Sequence, residues 1–170
     1  MNIKYIVIDV DGTLTDSGVY YDNLGNELKK FNTKDGAGIQ VAKAAGLKII
    51  VLTGRECNAT LRRMSELQAD TIEQNIKNKG EWLARFMAEH SISKAEIGSI
   101  GDDVNDLPSM RLCGFIGCPA DACKEVKSIA DYISPVSGGH GAVRDCIEHL
   151  LTESGQWTEL IEKVYNSAGV

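Results

Sequence analysis

At 170 residues, with 43% apolar and 25% charged residues, the chain has the make-up of a soluble globular protein with room for one sizeable core. Its formal net charge of −6 argues against a nucleic-acid-binding surface, and no apolar stretch approaches the length of a membrane span. Five cysteines without a C-x-x-C pair read as small buried residues, and Asp9 and Asp11 cut the N-terminal apolar run too short for a secretory signal. Both features point to the cytoplasm.

Along the chain, strands and helices alternate, the pattern of a parallel sheet with helices on both faces. Tyr5–Ile8 reads as a buried strand that runs into Asp9-Val10-Asp11-Gly12-Thr13, where Gly12 signals a turn. Residues 19–21 and 27–31 flank the turn-rich Asp22-Asn23-Leu24-Gly25-Asn26 and predict a β-hairpin within a segment spanning about 15–34. Asp35 reads as the N-cap of a helix through Ala45, closed by Gly46. Strand Lys48–Leu52 leads to Thr53-Gly54-Arg55 and an amphipathic helix over about 57–67. A weak strand at Thr71–Glu73 precedes a helix over about 78–90, and strand Ile97–Ile100 ends at Gly101-Asp102-Asp103. A helix over 105–112, a strand at 115–117, a helix over 124–130 and a short strand Tyr132–Ile133 follow. The glycine loop 137–141 opens a helix to Leu151, and the tail from about 155 to 170 is expected to be partly helical. Nothing divides the chain, so residues 1–170 are expected to form one domain.

Right-handed crossovers put the C-terminal ends of parallel strands on one edge, where open α/β sheets bind ligands. Asp9, Thr53 and Asp102 each follow a strand and so are expected to meet there. Two carboxylates at i and i+2 past a buried strand are costly unless a cation joins them. Magnesium, held by Asp9, the Asp11 carbonyl and Asp102, fits that need, with Asp103 and Asp106 supporting it from behind. Each like-charge pair at about 4 Å costs about 4 kcal/mol at an effective dielectric of 20, so the site also demands a lysine. Lys79 and Lys77 both stand at the right place. The chemistry these groups suit is phosphoryl transfer: Asp9 attacks phosphorus, Asp11 serves as acid and then base, and Thr53, Gly54 and the lysine hold phosphoryl oxygens. Thr13 is expected to orient Asp11.

Asp9-Val10-Asp11-Gly12-Thr13, Leu52-Thr53-Gly54, Lys79 and Gly101-Asp102-Asp103-Val104-Asn105-Asp106 are similar in order and spacing to the four motifs of the haloacid dehalogenase-like phosphatases. Over nearly the whole chain the resemblance is to their small capless branch, including the segments 29–36 and 138–145. It implies a three-layer Rossmann-like fold with a hairpin flap after the first strand and no cap domain. It implies a magnesium-dependent phosphatase of a 2-keto-3-deoxy sugar acid in lipopolysaccharide biosynthesis, with 3-deoxy-D-manno-octulosonate 8-phosphate favoured. A nine-carbon keto-sugar acid 9-phosphate is the alternative substrate, and a silent assembly domain like that attached to cytidylyl-sialate synthetases is the alternative role. The branch further implies a homotetramer built around the hairpin, and substrate contacts or their support from Arg55, Lys30, Asp35, Arg63 and Arg144. His140 departs from the arginine often found in the glycine loop, and Gly138, Gly139 and Gly141 are expected to turn tightly at a subunit contact.

Overall fold

The computed structural model describes residues 2–166. Six parallel strands form one sheet: β1 (Tyr5–Ile8), β4 (Lys48–Leu52), β5 (Thr71–Glu73), β6 (Ile97–Ile100), β7 (Phe115–Cys118) and β8 (Tyr132–Ile133). Their order is β5-β4-β1-β6-β7-β8. Strands added after β1 run outward on one side and those from β6 run outward on the other. The order therefore reverses between β1 and β6, which opens a crevice at their carboxyl ends.

Period-two alternation divides the core between the two faces of the sheet. Ile6 and Ile8 of β1 pack with Ile49 and Val51 of β4 against α1 (Thr33–Ala44) and α6 (Ala142–Glu153), through Ile39, Val143 and Ile147. Val7, Ile50 and Leu52 point to the opposite layer, where they meet Leu83 of α3 (Lys79–Glu89). A third cluster under β7 joins Ile116 and Cys118 to Met110 of α4 (Leu107–Met110) and Val126 of α5 (Lys124–Lys127). Two further α-helices among the described residues are α2 (Asn58–Glu66) and α7 (Trp157–Ile161), the latter followed by a wide turn at Glu162–Asn166. Arg144 lies over the Trp157 ring, 4.9 Å from its centroid, and Tyr165 donates to the Ala37 carbonyl, so this segment folds back along α1. The part of the predicted tail beyond 166 lies outside the described residues.

The hairpin after β1 is present but shorter than predicted, pairing only β2 (Tyr20–Tyr21) with β3 (Glu27–Leu28). Asp22 ties its tip by accepting from the Leu24 and Asn26 amides at 2.8 Å each. Two predicted helices are shorter as well. The carboxylate of Asp106 captures the amides of Asp102 and Asp103, so residues 103–106 form a turn and α4 begins only at Leu107. After α5, the Ser128 hydroxyl bonds back to the Glu125 carbonyl, and the chain turns to enter β8.

Asp35 is not the cap of α1. Asn32 fills that position and accepts from the Lys34 amide at 2.9 Å, while Asp35 lies buried in the first turn. Its Oδ1 accepts instead from the amide of Arg144, also at 2.9 Å, so α1 supplies a carboxylate to the first turn of α6. Its Oδ2 has no hydrogen-bond partner among the described residues. Burial pushes the carboxyl up to about 6, against the backbone donors of α6. The folded carboxyl thus binds a proton more tightly than the unfolded one, so its contribution to stability falls as pH rises from about 4 to 6. Asp35→Asn is expected to lose this dependence. Relative to wild type, it should gain about 2 kcal/mol between about pH 4.5 and about pH 7.5 in urea unfolding. Parallel pH profiles for the two proteins would refute the assignment.

Candidate active site

The site forms where β1, β4 and β6 end together. Asp9 follows β1, and its amide donates to the Ile100 carbonyl at 3.0 Å, which binds the start of the loop to β6. The chain leaves through a wide turn, Val10–Leu14, with Gly12 at φ +96°. Any other residue at 12 would be strained, and a Cβ there would lie 2.0 Å from Oδ2 of Asp102. The glycine loop braces this turn from behind. A Cβ on Gly138 would fall 1.8 Å from the Gly12 carbonyl oxygen, and the Gly139 amide donates to the Thr13 carbonyl at 3.1 Å. The close approach made by Gly138 and Gly139 is therefore to the chain's own loop after β1.

Asp9, Asp102 and Asp106 each present a carboxylate oxygen within 4.8 Å of the others. Lys79 opens α3, and its Nζ lies 2.6 Å from Oδ1 of Asp9 and 2.6 Å from Oδ1 of Asp106. The amine is buried with its partners, at 2% side-chain exposure against 7% for Asp9 and 4% for Asp106. Burial, followed by the negative charge of Asp106, holds the Asp9 carboxyl well above its usual range, with Lys79 opposing. Asp102 is pushed up to about 7, by burial first and Asp106 second, while the Thr13 hydroxyl opposes. Burial disfavours charge on Lys79 too, but Asp9 and Asp106 outweigh it and its pKa stays above the ordinary value. Three oxygens crowded this closely and only partly neutralised make the donor set of a hard divalent cation.

Of the two candidate lysines, Lys79 reaches the carboxylates, whereas Lys77 donates to the Gly54 carbonyl at 2.8 Å. Thr53 is buried at the end of β4, and its hydroxyl oxygen accepts from the Arg55 amide at 3.3 Å. A cleft of about 230 Å³ opens on this edge, lined by Asp9, Asp11, Thr53, Gly54, Arg55 and the 103–105 loop. Asp103 is exposed at its mouth, with Oδ1 accepting from the Val104 amide. Thr13 does not orient Asp11; its hydroxyl donates to Oδ1 of Asp102 at 3.0 Å. The Asp11 side chain also stands apart from the carboxylate group, because Lys29 bonds its Oδ1. The third carboxylate of the group is that of Asp106.

Among the suggested substrate contacts, only Arg55 lines the cleft. Its Nη2 is held 2.7 Å from Oε2 of Glu27 and 3.3 Å from the Tyr21 hydroxyl. Lys30 pairs with Asp16, Arg63 with Glu66, and Arg144 with Glu148, while Asp35 is buried under α6, so none of these four enters the cleft. His140 is exposed, with its Nδ1 2.8 Å from the Gly138 carbonyl oxygen. Sequence reasoning passed over Glu27 and Lys29. Strand alternation could have found them, since 27 and 29 share a face of β3 and its extension while Lys30 takes the other.

A family model for haloacid dehalogenase-like hydrolases matches residues 71–145. The chain is 34% identical over 158 residues to the 3-deoxy-D-manno-octulosonate 8-phosphate phosphatase of Escherichia coli K12, covering 93% of this chain and 84% of that protein. The Moraxella catarrhalis phosphatase of the same name, solved with magnesium, phosphate and the sugar acid, superposes with a TM-score of 0.91 at 33% identity. That match covers 95% of this chain and 93% of the other. A cobalt-bound relative from Haemophilus influenzae gives 0.87 at 32% identity, with 92% of each chain covered. The sheet order, the edge cluster and these relatives agree: the chain belongs to the haloacid dehalogenase-like hydrolases, in their capless branch of phosphoric monoester hydrolases.

Proposed function

We propose that this enzyme is a magnesium-dependent phosphatase that hydrolyses 3-deoxy-D-manno-octulosonate 8-phosphate through an aspartyl-phosphate on Asp9. The single observation that carries this reading is the buried Lys79 bridging Asp9 and Asp106 beside Asp102, with Asp9 lining a cleft that Thr53 and Asp11 also line. The oxygen-only donor set fits magnesium, with Asp9, Asp102 and the Asp11 carbonyl to hold it and Asp106 in support. When bound, the ion draws charge from the phosphoryl oxygens and lowers the cost of bringing a dianion to three carboxylates.

Asp9 attacks phosphorus in line, forming an O–P bond as the bond to the sugar oxygen breaks. Asp11 gives its proton to the departing alkoxide. In the second step Asp11 takes a proton from water, whose oxygen attacks phosphorus and releases phosphate from Asp9. Lys79, the Thr53 hydroxyl and the Gly54 loop steady the charge on the transferring group. The exposed apolar side chains Tyr20, Tyr21, Leu24 and Leu28 on the hairpin support a homotetramer assembled there. No helix among the described residues is long and apolar enough to cross a membrane, and all five cysteines are free; both support a cytoplasmic enzyme.

The test is phosphate release from the eight-carbon 8-phosphate and from nine-carbon 9-phosphates, with magnesium and with chelator. Expected is a preference for the eight-carbon ester of at least about tenfold in kcat/KM, lost when the metal is stripped. Equal and poor rates on both would refute the substrate while leaving a phosphatase. Release from neither would favour the silent assembly domain.

A further inference from the structure

We propose that Lys29 is a positioning residue for the phosphatase reaction: it holds the Asp11 carboxylate at the departing oxygen, and so makes the hairpin a working part of the active site. The inference rests on the roles of Asp9 and Asp11 proposed above. The Lys29 side chain is only 1% exposed, which is costly for an amine unless carboxylates meet it. Two do: Oδ1 of Asp11, and Oε1 of Glu27 at 2.8 Å. Asp11 lies over it at 22% exposure, on the wall of the cleft.

The two aspartates of the β1 loop are thus sorted by two different lysines. Asp9 goes to Lys79 on α3, and Asp11 goes to Lys29 beyond β3. The sorting begins in the backbone. Asp11 is extended (φ −81°, ψ 107°) directly before the left-handed Gly12, outside the helical curl of the rest of the turn. Glu27 then anchors Lys29 from the far side, and its other oxygen takes Arg55 next to the Thr53-Gly54 turn. A continuous chain of charges therefore runs from the loop after β1, through β3, to the loop after β4. A lysine offers donors only, so it fixes one oxygen of Asp11 and leaves Oδ2 to carry the proton for the leaving alkoxide.

Phosphate esters with different leaving groups separate this role from mere structural support. An alkyl ester such as the sugar-acid phosphate needs a proton on its departing oxygen, whereas p-nitrophenoxide leaves without one. Values of kcat/KM report the steps up to the aspartyl-phosphate. They would be measured with magnesium for wild type, K29M, K29R and E27Q on the octulosonate phosphate and on p-nitrophenyl phosphate. Expected for K29M is a loss of about 100-fold on the sugar ester and less than about fivefold on the aryl ester. K29R should recover about tenfold on the sugar ester, and E27Q should shift the ratio between esters the same way by a smaller factor. Equal losses on both esters, or no loss on either, would overturn the role of Lys29 and leave the phosphatase reading standing. If K29M does not fold, K29R and E27Q decide: a shifted ratio in either supports the proposal, and an unchanged ratio in both overturns it. Wild-type protein inert toward both esters would remove the phosphatase reading, and this proposal with it.

Discussion

Replacing Asp9 by asparagine is expected to abolish turnover and leave the fold intact. The amide keeps an oxygen where Lys79 Nζ now donates at 2.6 Å, so the buried amine retains both of its partners. What disappears is the nucleophilic lone pair of a carboxylate, for which an amide is no substitute. A loss of at least about 10⁴-fold in kcat is expected, on the scale seen when nucleophiles are removed from other hydrolases. Stability should move the other way. Asp9 is 6% exposed and shares its space with Asp102 and Asp106, so neutralising it removes repulsion from a place water scarcely reaches. In chelator, D9N should therefore unfold at a urea concentration no lower than wild type, with a gain of up to about 2 kcal/mol. A folded D9N protein that still releases phosphate at an appreciable rate would move the nucleophile elsewhere.

Asp9, Thr53 and Asp102 are legible because their signals are local, whereas Lys79 is one of two suitable lysines until the fold turns it, and not Lys77, toward the carboxylates. Each of the three follows a short apolar strand, and parallel topology carries strand ends to one edge whatever else the chain does. Apolar patterning predicts the strands Tyr5–Ile8, Lys48–Leu52, Thr71–Glu73, Ile97–Ile100 and Tyr132–Ile133 with the bounds the structure gives them. The errors concern side chains whose partners are distant in sequence. Asp35, a few residues ahead of an apolar helical run, has every local mark of a cap, but its amide partner is Arg144, 109 residues away. Thr13 reads as a support for its neighbour Asp11 and bonds Asp102 instead, 89 residues off. Gly138 reads as part of a tight turn, and only the fold shows the Gly12 carbonyl, far away in sequence, occupying the space a side chain there would need. Lys29 and Lys30 are indistinguishable by composition, and only the register of β3 turns one toward Asp11 and the other toward Asp16. Sequence patterning thus located the strand ends, while packing between them decided which side chains meet.

The second large effect is expected at Lys79, and it separates stability from catalysis. Lys79→Met should cost about 3–5 kcal/mol in chelator, because it strips the cation from Asp9 and Asp106 while leaving both carboxylates buried. The deficit should shrink when magnesium is added, since an ion bound by the native carboxylates and not by the unfolded chain stabilises by mass action. Wild type, whose Lys79 already offsets part of that charge, should gain less from the same addition. Catalysis should not recover in step. Magnesium meets the carboxylates, but the phosphoryl oxygen that Lys79 would steady loses a donor, for which about 10²–10³-fold in kcat is the usual loss. Urea unfolding and initial rates, each followed across a magnesium titration, read the two effects independently. If K79M matches wild type in stability without the metal, the buried lysine is not what holds these carboxylates together. If its rate returns as its stability does, Lys79 serves the fold alone.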